Sequence, residues 1–166
     1  MPNHLTSSIR AAALLLALAA CEREPTTTNG IVGVPPNVRT APTTVTLGGK
    51  ALTLETHLWR DFMPVAPPDG QPLIAVLRVR ATGEGASVPA NVQVDSAWVV
   101  LGEQAWASRP VQEQQRTATT PYLEVVSRNG PKWGPGVNVD VTVRLRDGAG
   151  NTALLRAAGR PIQRTD

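Results

Sequence analysis

The segment Val137–Arg146 reads VNVDVTVRLR and has the clearest strand pattern in the chain. Its odd-numbered positions are all Val or Leu, and its even-numbered positions are all polar or charged. Successive side chains of a β-strand point to opposite faces of a sheet, so this alternation predicts a strand with one buried face. The turn-favouring residues DGAGN follow at 147–151, and apolar residues return at 152–157. The whole stretch therefore predicts a β-hairpin.

Short segments of the same kind occupy most of the chain from Val45 onward. Turn residues separate them, and no segment has convincing helical periodicity. We expect further strands at 45–47, 51–59, 72–81, 92–101, around 106 and at 121–128. Seven or eight short strands of this kind predict an all-β protein, an antiparallel β-sandwich.

The hairpin is similar to the last hairpin of bacterial immunoglobulin-like and fibronectin-III-like domains. Those domains commonly end with alternating valines, an aspartate and Ala-Gly-Asn, found here as Val139–Val143, Asp147 and Ala149–Asn151. The resemblance implies an immunoglobulin-like sandwich over about residues 45–166, with Trp98 as a candidate core tryptophan. It implies no disulfide, because the chain has one cysteine. It also implies no particular reaction, because this fold hosts many functions.

The first twenty residues predict a secretory signal peptide. A polar start that carries Arg10 precedes ten residues of only Ala and Leu, and small residues stand before Cys21. Leu18-Ala19-Ala20-Cys21 resembles the lipobox of bacterial lipoproteins. The resemblance implies cleavage before Cys21 and a diacylglycerol on its sulfur, so the expected partner is a membrane. The alternative is an ordinary signal peptide, which would leave an unpaired thiol in an oxidising compartment.

The residues that follow Cys21 predict which membrane holds the protein and how the domain is connected to it. Glu22 follows the cysteine, and in the family's sorting rule a residue other than Asp there favours the outer membrane. Residues 21–44 are rich in Pro and Thr, which predicts an extended tether. The alternative is that Ile31–Val34 pairs with the sheet as a short first strand. The predicted organisation is a leader at 1–20, a tether at 21–44 and a sandwich at 45–166 in the cell envelope.

Two features are candidate binding surfaces. Arg78 and Arg80 lie on one predicted strand, and Arg144 and Arg146 lie on another. If these two strands are neighbours, the four guanidinium groups form a patch that binds carboxylate or phosphate groups. The alternative is a solvated face with ion pairs to the carboxylates of Glu55, Asp95, Glu124 or Asp140. The second candidate is the loop Gly130–Gly136, which carries Lys132 and Trp133. The alternative there is that Trp133 caps the open end of the sandwich.

No catalytic or metal-binding constellation is predicted. His57 has no nucleophile or further ligand at motif spacing, and DGAGN supplies too few oxygen ligands for calcium. The net charge is only +3, and no basic run alternates with aromatics, which argues against nucleic acid. We therefore expect no cofactor and a non-enzymatic binding or structural module, whose partner is an envelope protein or a polysaccharide. The alternative is a proteinase-inhibitor-type domain that uses the loop 130–136, and an enzyme has the least support.

Overall fold

The computed structural model describes residues 29–117 and 120–166, and these residues are mostly in β-strands. The predicted leader, Cys21 and Glu22 lie outside the described residues. The described residues contain one helix, α1, which is a single turn. No helix of these residues is long and apolar enough to cross a membrane. The elements in chain order are β1 (Gly30–Gly33), α1 (Pro36–Arg39), β2 (Val45–Leu47), β3 (Lys50–Asp61), β4 (Leu73–Ala81), β5 (Gln93–Leu101), β6 (Gln104–Ser108), β7 (Tyr122–Gly130), β8 (Asn138–Arg146) and β9 (Thr152–Thr165).

All nine strands belong to one curled, mixed sheet in the order β1-β6-β5-β8-β9-β3-β4-β7, with β2 paired to β3. The long strand β9 joins the two halves of this sheet. Its residues 152–161 pair antiparallel with β8, and Ile162–Thr165 pair parallel with β3. We call β1, β6, β5 and β8 the β5 half, and β2, β3, β4 and β7 the β4 half. The sheet curls into a half-barrel, so that the two halves face each other.

The expectation of an all-β protein is confirmed, whereas the number and arrangement of strands differ from the prediction. The described residues contain nine strands instead of seven or eight, and these strands form one continuous sheet. The additional strand is β1, and the continuity comes from β9, which runs past the hairpin predicted at 152–157. The mixed pairing also follows from β9, since that strand is parallel to β3.

The main core fills the space between the two halves. On β8 the alternating Val139, Val141, Val143 and Leu145 are all buried, as the sequence pattern predicts. They belong to one cluster with the inward side chains of the opposite half, including Leu54, Leu58, Leu77, Val79, Leu123 and Val125. The two halves therefore share a single hydrophobic core.

Residues 30–44 belong to the β5 half or pack on it, since β1 adds its edge strand and residues 34–44 cover its outer face. The strand β1 pairs antiparallel with β6, and α1 places Val38 in a second apolar cluster with Trp98. The Thr142 hydroxyl donates to the Val38 carbonyl at 3.0 Å, and Arg156 Nε donates to the Ala41 carbonyl at 3.0 Å. This stretch, predicted as part of an extended tether, therefore belongs to the folded domain. The structure agrees instead with the alternative prediction, a short first strand near Ile31–Val34, which is β1.

Candidate functional site

The four arginines proposed as one binding face lie in two separate places. The strands β4 and β8 are not neighbours, because β9 and β3 lie between them in the sheet. Arg78 pairs with Glu124, and Arg80 pairs with Glu55 at 2.6 Å. Both guanidinium groups also lie over the Tyr122 ring, at 5.3 and 5.1 Å from its centroid.

The second pair of arginines shares one carboxylate. Arg144 and Arg146 reach Asp95 at 2.7 and 3.2 Å, whereas Asp140 pairs with Arg156 at 3.0 Å. The single four-arginine patch is therefore not formed. The two pairs instead have three carboxylate partners, Glu55, Glu124 and Asp95, and all three are among the four counterions considered from the sequence.

The loop Gly130–Gly136, the other predicted binding element, is held against the fold. Arg60 is 3% exposed, and its Nη1 donates to the carbonyls of Lys132 and Gly134 at 3.1 and 2.8 Å. Lys132 Nζ pairs with Asp69 at 2.6 Å, and Trp133 packs partly buried against the main core. The tryptophan therefore caps the core, and only its edge remains available to a partner.

The other candidate residues of the sequence, His57 and Asp147, contact neighbouring residues. The exposed His57 ring lies 4.8 Å from the Trp59 ring. Asp147 accepts from the backbone N–H groups of Ala149 and Asn151 at 2.9 Å and from Asn151 Nδ2 at 2.8 Å. The hydrogen bond from the Asn151 side chain, followed by these backbone bonds, lowers the pKa of the Asp147 carboxyl. No group of three potential metal ligands occurs in residues 29–117 and 120–166.

A cleft of about 450 Å³ lies where the two end strands of the half-barrel, β1 and β7, approach each other, and the sequence did not predict it. Asn29 and the start of β1 form one wall, the end of β6 forms the floor, and the end of β7 forms the other wall. The lining residues are Asn29, Gly30, Ile31, Trp106, Ser108, Arg109, Ser127, Arg128, Asn129, Gly130 and Pro131.

Two close contacts between β6 and β7 build the floor of this cleft. The buried hydroxyls of Ser108 and Ser127 hydrogen-bond to each other at 2.8 Å. A Cβ atom at position 130 would lie 2.7 Å from the Trp106 ring, so only glycine lets this ring pack against the β7 backbone. The floor is therefore fixed by packing and by one buried hydrogen bond, which favours a preformed site.

The charged residues that line the cleft are both arginines. Arg128 is oriented by a two-point contact with Glu113, from Nε to Oε1 at 2.8 Å and from Nη2 to Oε2 at 3.0 Å. This hydrogen bonding raises the pKa of Arg128 and lowers the pKa of Glu113. The Arg109 backbone N–H donates to Asn29 Oδ1 at 3.1 Å, whereas its guanidinium has no partner in the part of the chain that the structure describes.

These residues suit the binding of an anion better than they suit a reaction. Arginine and asparagine present N–H donors, and guanidinium groups match the paired oxygens of carboxylates and phosphates. Neither a histidine nor a carboxylate is among the described residues that line the cleft, so neither serine has a general base beside it there. The sequence could not reveal the cleft because its walls come from three separate stretches: 29–31, 106–109 and 127–131.

No family model, curated protein or solved structure matches this chain.

Proposed function

We propose that the protein is a non-enzymatic binding module of the cell envelope, held at a membrane by a lipid on Cys21. The cleft between the end strands β1 and β7 of the sheet carries this proposal. It combines a fixed floor, two arginines and side-chain amides in one concave surface. The leader and the lipobox-like residues before Cys21 support the anchor, and Glu22 favours the outer membrane.

We further propose that the sheet is related to immunoglobulin-like and fibronectin-III-like sandwiches. In those folds the first strand pairs with the second and the second with the fifth, while the third pairs with the sixth and the sixth with the last. Counted from β3, the pairs β3-β4, β4-β7, β5-β8 and β8-β9 follow the same scheme. This agreement supports the relationship, in which β1, α1 and β2 are additions at the N-terminal side.

The alternative of a proteinase-inhibitor-type domain has less support. Such a domain would insert an exposed loop, such as Gly130–Gly136, into a protease cleft. Here Arg60 holds two carbonyls of that loop, and Trp133 packs against the core. These contacts favour the binding module over the inhibitor.

Incorporation of a labelled fatty acid in growing cells tests the anchor. The wild-type chain should incorporate label, whereas Cys21→Ala should not, because the acceptor sulfur is missing. Fractionation alone would mislead, since an uncleaved leader with its apolar residues 11–20 would itself bind membranes. Replacement of a residue away from the lipobox, Ala149→Ser, is the matched control and should be labelled like the wild type. An unlabelled wild-type chain would contradict the proposal.

A further inference from the structure

We propose that the cleft binds a phosphate group, carried by a lipid headgroup or free in solution. The proposal deepens the proposed function, on which it rests only for the position of the cleft beside a membrane. The Arg109 guanidinium is the ligand-binding group, and the fork of Arg128 is held ready beside it.

The charge of the cleft selects an anion. Arg109 and Arg128 are the charged residues that line it, and Glu113 occupies only two of the five N–H groups of Arg128. Glu113 thus fixes the plane of this guanidinium and leaves further donors for a ligand. The fixed fork geometry of a guanidinium pairs with two oxygens of one phosphate, which makes such contacts stronger than neutral hydrogen bonds.

The position of the cleft favours phosphate among the anions. Asn29 lies at the lip of the cleft, eight residues after Cys21. Eight residues span at most about 28 Å, since an extended chain covers about 3.3–3.6 Å per residue. A folded domain of this size is about 37 Å across, as its expected radius of gyration of about 14 Å implies. An anchor at Cys21 would therefore hold the lip of the cleft within about 28 Å of a membrane, which is less than the width of the domain, and lipid headgroups there carry phosphate.

The first test is a titration of the full chain with inorganic phosphate in a phosphate-free sugar detergent, with sodium chloride added to keep the ionic strength constant. The readout is the unfolding temperature, which a ligand of the folded state raises. The variants are Arg109→Gln and, as the matched control, Arg80→Gln on the outer face of the β4 half. Both side chains are replaceable without loss of the fold, because Arg109 has no side-chain partner among the described residues and Arg80 contacts only Glu55 and the Tyr122 ring at the surface.

Phosphate should raise the unfolding temperature of the wild type and of Arg80→Gln by the same amount at each concentration. Arg109→Gln should need at least about tenfold more phosphate for the same rise, as the loss of a charge-assisted contact implies. Equal rises in all three proteins at every concentration would overturn the site. So would no response up to about 10 mM phosphate, which would nearly saturate a site with a Kd of 1 mM. This arm needs no anchor, so its failure leaves the result of fatty-acid labelling at Cys21 untouched.

The second arm distinguishes the two sources of phosphate. The full chain is placed in vesicles of phosphatidylcholine with phosphatidylglycerol, and the titration is repeated. Loss of the response to inorganic phosphate would show that a headgroup already fills the cleft. A response unchanged from that in detergent would assign the cleft to free phosphate and overturn the headgroup as its ligand.

Discussion

The outer face of the β5 half is covered by residues 34–44, whereas the outer face of the β4 half is open to solvent. Under the cover, Trp98 is 1% exposed and packs with Val38, Val100 and Ala105. On the open face the ion pair of Arg80 with Glu55 stands next to that of Arg78 with Glu124. The outer faces of the two halves of one sheet thus lie in different environments.

The difference shows that the outward side chains of each half decide whether it needs a cover. Burial of apolar surface stabilises a fold by about 25 cal/mol per Å², so Trp98 and its neighbours favour a covering segment. Exposed ion pairs contribute about 0–1 kcal/mol each and lose their hydration if they are covered. The Pro-rich segment 34–44 therefore folds onto one half and leaves the other open.

Substitutions of two tryptophans should show this difference between the faces with the largest change in stability. Trp98→Ala should lower the free energy of unfolding by about 3–5 kcal/mol, because it leaves a cavity under the cover. Trp59 is half-buried on the open face, where it lies beside His57. Trp59→Ala should cost only about 1 kcal/mol, since a half-exposed side chain loses part of its transfer free energy. Denaturant unfolding of both variants tests this, and equal losses would contradict the contrast between the faces.

A substitution within the covering segment should also lower the stability of the fold. Val38→Ala should lower the free energy of unfolding by about 2 kcal/mol, because Val38 is fully buried against Trp98. Val111 is 62% exposed, so Val111→Ala is the matched control and should change stability by less than about 0.5 kcal/mol. Hydrogen exchange of the β1 amides should also become faster in Val38→Ala. Unchanged stability and exchange in that variant would show that the segment is not part of the folded unit.

The strand pattern could be read from the sequence, whereas the cover could not. On β8 every second residue is apolar, so Val139–Leu145 identify the strand and its buried face. On β5 both Val99 and Trp98 are buried, so period-two alternation cannot tell which face meets the main core. The cover depends on Val32 and Val38, whose spacing among prolines has no period of its own. The cleft depends on how the sheet curls, which brings Ser108 and Ser127 together.

A smaller effect is expected on the open face. Glu55→Gln removes the carboxylate that pairs with Arg80 and should lower stability by about 0–1 kcal/mol. Raising the salt concentration should shrink the difference between the two proteins, because salt screens exposed charges. Trp98→Ala is the comparison, since the loss it causes should not shrink with salt. A large, salt-independent loss for Glu55→Gln would mean that this face is not stabilised as proposed.

The smallest effect concerns the turn that follows β8. The Asp147 carboxyl has a pKa below its ordinary value of 3.8, so its charged form stabilises the folded chain. This contribution is present above about pH 5 and disappears as the pH falls through the lower, folded-state pKa. Asp147→Asn should therefore flatten the acid limb of the unfolding temperature between about pH 5 and about pH 2. An acid limb identical to that of the wild type would show that this carboxyl does not contribute.

Asn29 lines the cleft and lies eight residues after Cys21, so an anchor at Cys21 would hold the cleft within about 28 Å of a membrane. The most direct measurement uses the full chain, expressed with its leader and placed in vesicles that contain an energy-acceptor lipid. A donor dye is attached at Val111→Cys, two residues from Arg109, or at Ala158→Cys on β9, three strands from β6 in the sheet. Neighbouring strands are about 4.8 Å apart, so the two positions differ enough to be resolved. The account predicts stronger energy transfer from position 111, and equal or weaker transfer from that position would contradict it.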